Sequence, residues 1–261
     1  MNYVVLSILT AITLCSTNIY SFSKPFKKKT YKINSKISEN KIISVTPGGI
    51  KGLYYLGTLY YIKENYNIDE YSYLGSSVGS WISLFMCFKG NNQLFVNSVL
   101  NLNYNQSLAL SEENMKKSIL ENYTSNDFEL SKLKIGVTEF GKYNKFNLIY
   151  TIYDSFSDLE DAIDCCIASS HVPFVIGGGF LKKYKNKFVF DGGLKKISYE
   201  KPNNSVLHVS SKVWNNQKYI KMPGLRKHKE FDVNTFFNDG LNDAKKNREY
   251  LNSIFIPKNS I

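Results

Sequence analysis

Acidic residues are scarce. The chain sets 22 Asp and Glu against 33 Lys and Arg, which leaves a net charge of +11 over 261 residues. So few carboxylates point to an acidic partner, either nucleic acid or an anionic membrane. The lysines are scattered and no RNA- or DNA-binding motif accompanies them. The charge is therefore read as attraction to an anionic membrane surface, with no nucleic acid expected. Cysteine is equally thin: Cys15, Cys87, Cys165 and Cys166 are all there is. They form no C-x-x-C pair for zinc and no spacing for a disulfide framework, so no metal is expected, and buried free thiols in a reducing compartment are. Internal repeats and low-complexity tracts are missing, which leaves an ordinary globular profile, 43% hydrophobic and 21% charged. The length suffices for one large domain with its own core, or two small ones.

Charge of either sign is absent from Met1 to Ser23, and Val4 to Phe22 is largely apolar. Such a leader is a signal peptide or a membrane anchor. It lacks a basic first segment and an A-x-A-like cleavage site, and Lys24, Lys27, Lys28 and Lys29 follow at once. Positive charge resists translocation. An uncleaved anchor over 1–23 is expected, with its N-terminus outside and the rest of the chain cytoplasmic; the alternative is secretion after cleavage. Residues 24–41 read as a basic linker, and one domain is expected over 42–261.

Within that domain strands alternate with helices. "KIISVT" reads as a buried strand, "LYYLGTLYYIKENY" as a helix, "YSYLGSS" as a short strand and "VGSWISLFMCFKG" as a buried helix ending at Gly90. Asn91 to Ser131 reads as a mostly helical, polar covering segment. "KIGVTEF" and "KFNLIYTIY" read as strands joined through "GKYN". Ser157-x-x-Glu160 predicts a capping box opening the helix "DLEDAIDCCIASS". "NKFVFDGG" and "NSVLHVSS" supply two more strands, and "DVNTFFNDGLNDAKKNREYLNSIF" a closing helix. The alternation predicts an α/β fold whose mixed, mainly parallel sheet is flanked by helices.

Two glycine-bearing turns carry the chemistry. "VTPGGIKGLYYLG" places Gly48, Gly49 and Gly52 between a strand and a helix. Glycines there let backbone N–H groups approach an anion, and a helix start favours negative charge. A phosphate loop is not supported, since no G-x-x-x-x-G-K-[ST] occurs and Pro47 breaks G-x-G-x-x-G. "GSSVGS" places Gly75-x-Ser77-x-Gly79 between a predicted strand and helix. A serine on such a sharp elbow projects its hydroxyl beyond the sheet edge. A nucleophilic Ser77 needs a base and an oxyanion hole. The amides around Gly48, Gly49 and Ile50 suit the hole, so the anion is read as transient. "GGGF" at Gly177 to Phe180, a rival nest, follows no clear strand and reads as a loop.

For the base, three histidines are present. A Ser-Asp-His order is available as Ser77, Asp191 and His208 or His228. His208 sits in an apolar strand pattern as a core residue would, His228 lies in the charged "RKHKE", and His171 precedes the acid. Asp191 ends the strand "KFVF" before Gly192 and Gly193, where its carboxylate is presented at the end of the sheet.

Taken in order, these motifs resemble the patatin-like phospholipase family. "PGGIKG" is similar to its G-G-G-x-[RK]-G turn, with Pro47 at the first glycine; "GSSVGS" resembles its elbow and "FDGG" its D-G-G/A. "ASSHVPF" looks like a further family stretch, and the likeness runs from about Ile42 to Leu194. The resemblance implies a three-layer fold and cofactor-free, calcium-independent hydrolysis of fatty-acyl esters in membrane lipids. It implies Ser77 as nucleophile, Asp191 as base without histidine, and Gly48, Gly49, Ile50, Lys51 and Gly52 as the oxyanion turn. Gly75 and Gly79 would shape the elbow, Gly192 and Gly193 the acid loop. An α/β-hydrolase with a Ser-Asp-His triad, and a non-catalytic lipid-surface binding protein, are the alternatives. The lipid class and the oligomeric state are not fixed by the sequence.

Overall fold

The computed structural model describes residues 41–102, 108–141, 148–173, 182–223 and 232–258. The leader and linker with Cys15, the Gly177–Phe180 loop, His228 and most of the "GKYN" turn lie outside them.

Among the described residues the strands are β1 (Lys41–Val45), β2 (Tyr66–Asn67), β3 (Tyr71–Ser76), β4 (Leu133–Phe140), β5 (Leu148–Tyr153), β6 (Lys182–Tyr184), β7 (Lys187–Phe190), β8 (Ser205–Val209) and β9 (Ile256–Pro257). The helices, in chain order, are α1 (Gly52–Asn65), α2 (Val78–Cys87), α3 (Asn92–Leu100), α4 (Leu108–Asn122), α5 (Leu159–Ser169), α6 (Gln217–Lys221), α7 (Val233–Lys246) and α8 (Arg248–Asn252). The main sheet runs β6-β7-β4-β3-β1-β8, with β5 also paired to β4. The central pairs β4–β3, β3–β1 and β1–β8 are parallel, whereas β5, β7 and β6 join antiparallel. Every residue of β3 is buried, as expected of a central strand covered on both faces. The α2 helix is apolar nearly all round and is buried from Gly79 to Cys87. The fold is α/β, a mixed sheet with a parallel centre flanked by helices.

Three local expectations are corrected. The α2 helix stops at Cys87, before Gly90, because Phe88 turns extended and packs against Phe95, Tyr123 and Phe128. The Lys63 ammonium caps that end, donating to the carbonyls of Phe85, Met86 and Phe88 at 2.7, 3.0 and 2.5 Å. The N-cap of α5 is Asp158, one residue later than Ser157-x-x-Glu160 implies. Asp158 accepts the Asp161 N–H at 2.8 Å, and the Asp161 carboxylate takes the Ser157 N–H at 3.0 Å. A carboxylate is the stronger acceptor for a helix start, so it displaces the serine hydroxyl. The closing helix is two, α7 and α8, parted at Asn247, whose side chain binds the Asp243 carbonyl.

Candidate active site

The site arises because β4 offers one edge to two strands that run in opposite directions. Tyr73 to Ser76 of β3 pair with Leu133 to Gly136, and β7 comes the other way to pair with Thr138 and Glu139. Ser76 ends β3 beside Gly136, and Phe190 ends β7 beside Thr138. The next residues, Ser77 and Asp191, therefore meet where both strands run out. There the Ser77 hydroxyl acts on the Asp191 carboxyl, favouring its ionised form against the effect of burial. Both are buried, 8% and 7% exposed, so their contact is little diluted by solvent. On the other flank Val45 pairs with Gly75, so the glycine turn after β1 emerges at the same sheet end as the elbow after β3.

Ser77 has φ 55° and ψ −133°, a conformation L-residues rarely adopt, which costs about 1–3 kcal/mol. The surroundings hold it there. Its N–H donates to the Ser169 hydroxyl at 2.7 Å, and its carbonyl accepts from the Ser80 N–H at 2.9 Å and the Ser80 hydroxyl at 2.6 Å. The flanking glycines are required by contact. A Cβ on Gly75 would fall 2.0 Å from the Gly79 carbonyl oxygen, and one on Gly79 would fall 2.5 Å from that of Val45. Ser76, the neighbouring hydroxyl, is engaged elsewhere, with the Tyr150 hydroxyl at 2.7 Å.

Asp191 is fixed through its own backbone: its N–H donates to the His171 carbonyl at 2.7 Å. Burial raises its carboxyl from 3.8 to about 6, against the opposing pull of the Ser77 hydroxyl and the Gly193 amide. The Gly193 amide sits 2.6 Å from the carboxylate. A Cβ on Gly193 would also lie 2.9 Å from Pro47, so the acid loop and the glycine turn touch. A carboxylate poised near neutrality against a strained serine hydroxyl can exchange a proton with it.

The five residues of the glycine turn divide into two groups. Gly49, at φ 54°, opens a single 3-10 turn over Gly49–Lys51. The Lys51 amide binds the Gly48 carbonyl at 3.2 Å, and the Gly52 amide reaches the carbonyls of Gly49 and Ile50. Those two donors are used in closing the turn. The amides of Gly48, Gly49 and Ile50 make no hydrogen bond among the described residues. The Lys51 side chain is partly buried, and burial lowers its pKa.

His208 does not join Ser77 and Asp191. Its Nδ1 lies 2.8 Å from the Ser44 hydroxyl and its Nε2 3.3 Å from the Tyr199 carbonyl. Burial holds its pKa below the usual imidazole value. His171 contributes its backbone carbonyl to Asp191. Cys87, Cys165 and Cys166 are buried free thiols, as expected. Among the described residues no cluster of His, Cys, Asp and Glu forms a metal site.

Two features of the site went unseen in the sequence. Ser169 and His171, inside "ASSHVPF", hold the backbones of Ser77 and Asp191; the only signal was that stretch itself, which carries no chemistry at face value. Glu112 on α4 comes close to Ser170, whose hydroxyl accepts the Trp81 indole N–H at 3.1 Å; burial raises the Glu112 carboxyl to about 8, with the Asp191 charge adding to the rise. Nothing in the polar sequence around Glu112 marks it, because the approach depends on how α4 lies over α2 and α5.

A search of curated proteins returns no match. The family model of patatin-like phospholipases matches residues 45–196, more than half the chain, and its span takes in the glycine turn, Ser77, Ser169 and Asp191. With the mixed α/β sheet already described, that match settles the family: the chain belongs to the patatin-like phospholipases, a family of lipid acyl hydrolases.

Proposed function

We propose that this chain is a serine lipid acyl hydrolase of phospholipase A type, acting on fatty-acyl esters of membrane phospholipids through Ser77 and Asp191. The observation that carries the reading is that a serine in strained backbone conformation and a buried carboxyl, raised to about 6, stand together where β3 and β7 run out on β4. Asp191 takes the Ser77 proton as Oγ attacks the acyl carbonyl carbon. The amides of Gly48, Gly49 and Ile50 receive the oxyanion; each such donor is worth about 3–4 kcal/mol in sites of this kind. The Lys51 and Gly52 amides keep the turn in shape. Asp191 returns its proton to the departing glyceryl oxygen, then takes one from the water that attacks the acyl-enzyme and gives it to Ser77 Oγ as the fatty acid leaves. The engagement of both His208 nitrogens elsewhere favours a dyad over a triad.

The substrate lies in a bilayer, and the proposed tether is the uncharged leader, residues 1–23, with the domain on the cytoplasmic side. No helix among the described residues is long and apolar enough to cross a membrane. The net charge of +11 would add attraction to anionic lipid. The test is fatty-acid release from a labelled phospholipid and a labelled triacylglycerol by the parent protein and by Ser77→Ala. The reading expects release from phospholipid, lost in Ser77→Ala with the fold intact; a Ser77→Ala protein working at the parent rate overturns it.

A further inference from the structure

The C-terminal end of α5 touches both reacting residues through their backbones. The Ser169 hydroxyl accepts the Ser77 N–H at 2.7 Å. Because that oxygen is accepting, its own proton is free to donate, and it goes to the Gly136 carbonyl at 2.7 Å. Gly136 is the β4 residue opposite Ser76, at the point where β3 and β7 run out. Two residues on, the His171 carbonyl accepts the Asp191 N–H at 2.7 Å. A three-residue segment thus sets where the nucleophile and the base stand, and it is itself pinned to β4.

Resting on the reading of Ser77 and Asp191 given above, we propose that Ser169 is a positioning residue. Its hydroxyl holds the Ser77 backbone in the strained elbow and so keeps Oγ in register with the Asp191 carboxylate. Ser169 is fully buried. Without the hydroxyl, the Ser77 N–H and the Gly136 carbonyl both lose a partner that water cannot readily replace. The Ser77 peptide then has reason to relax towards an unstrained conformation, and relaxation swings Oγ away. Misplacement of a reacting atom by about 1 Å costs on the order of 100-fold in rate. Ser80 holds the other side of the same residue, through its carbonyl, so the elbow is not released altogether. The expected loss is therefore partial.

The experiment compares Ser169→Ala and Ser169→Thr with the parent, in full-length protein. Two readouts are taken. The first is kcat and KM for a phospholipid, with kcat expressed per site titrated by a fluorophosphonate. The second, which needs no activity, is hydrogen exchange of the Ser77 amide by NMR. Ser169→Ala is expected to lower kcat per titrated site about 10- to 100-fold at unchanged KM and to speed exchange of that amide at least about tenfold. Ser169→Thr, which keeps the hydroxyl, is expected to recover most of both. Ser83→Ala serves as the control: Ser83 is a fully buried α2 serine whose hydroxyl has no partner among the described residues, and its loss should leave both readouts unchanged. If Ser169→Ala does not fold, Ser169→Cys, with its weaker acceptor, must show the same losses in milder form. Parent-like kcat per site with parent-like protection of the Ser77 amide overturns the proposal. Should Ser77→Ala retain full hydrolysis, the functional reading fails, and amide exchange still judges Ser169.

Discussion

Acidification should switch the enzyme off about two pH units above where an ordinary aspartate titrates, without unfolding it. Burial raises the Asp191 carboxyl from 3.8 to about 6. The base works only when ionised. Its ionised fraction is then about 90% at pH 7 and about 10% at pH 5, whereas a carboxyl at 3.8 would still be more than about 90% ionised at pH 5. Below pH 6, kcat/KM should fall about tenfold per pH unit. Glu112, raised to about 8, keeps its proton throughout this range, so the limb should be a single step. The stability consequence has the opposite sign. A carboxyl raised on folding binds more protons in the folded than in the unfolded chain between 3.8 and about 6, so its contribution to stability grows as the pH falls. The same gap corresponds to up to about 3 kcal/mol that Asp191→Asn should return to stability at pH 7 while removing activity. The assay is release of acid from a neutral, water-soluble short-chain ester between pH 4.5 and 8, with folding followed by circular dichroism. An imidazole base would also titrate in this region, but its ionisation moves strongly with temperature and that of a carboxyl hardly at all. A limb near pH 4, a limb that shifts steeply with temperature, or a limb displaced by His208→Gln would refute the assignment.

Gly75→Ala should cost about 3 kcal/mol or more and abolish activity, since its Cβ would lie 2.0 Å from the Gly79 carbonyl oxygen; thermal melts and turnover check it. Lys63→Met should cost about 2–4 kcal/mol in denaturant unfolding by stripping three carbonyls at the end of α2 of their cap. Full-length protein should stay with membranes through a high-salt wash, because a spanning leader is not screened whereas lysine contacts are; recovery in the medium, with an N-terminus near Phe22 or Ser23, would show a cleaved signal instead.

The fold and the proposed site differ in how much of them the sequence discloses. β1, α1, β3 and α2 follow from local apolar patterns broken by glycine, and the same four elements set out the glycine turn and the elbow. Asp191 was legible because a strand ends there and two glycines follow. What lay hidden was relational. The meeting of β3 and β7 on one edge of β4 follows from register, which no single segment encodes. The roles of Ser169, His171 and Glu112 depend on contacts between residues 20 to 92 positions apart. Phe88 ends α2 because an aromatic cluster gathered from α3 and the chain before β4 draws it out of the helix, overriding the local signal at Gly90. Asp158 supplants Ser157 as a cap through a difference in acceptor strength that the S-x-x-E pattern does not weigh.

The central claim is that the acyl group passes through Ser77. Incubating full-length protein with a labelled phospholipid, quenching in acid within a turnover and mapping the labelled peptide by mass spectrometry tests it directly. The account predicts one acyl adduct, on Ser77, absent from Ser77→Ala and much reduced in Asp191→Asn. Acyl label on another residue, or turnover that persists in Ser77→Ala, would contradict it.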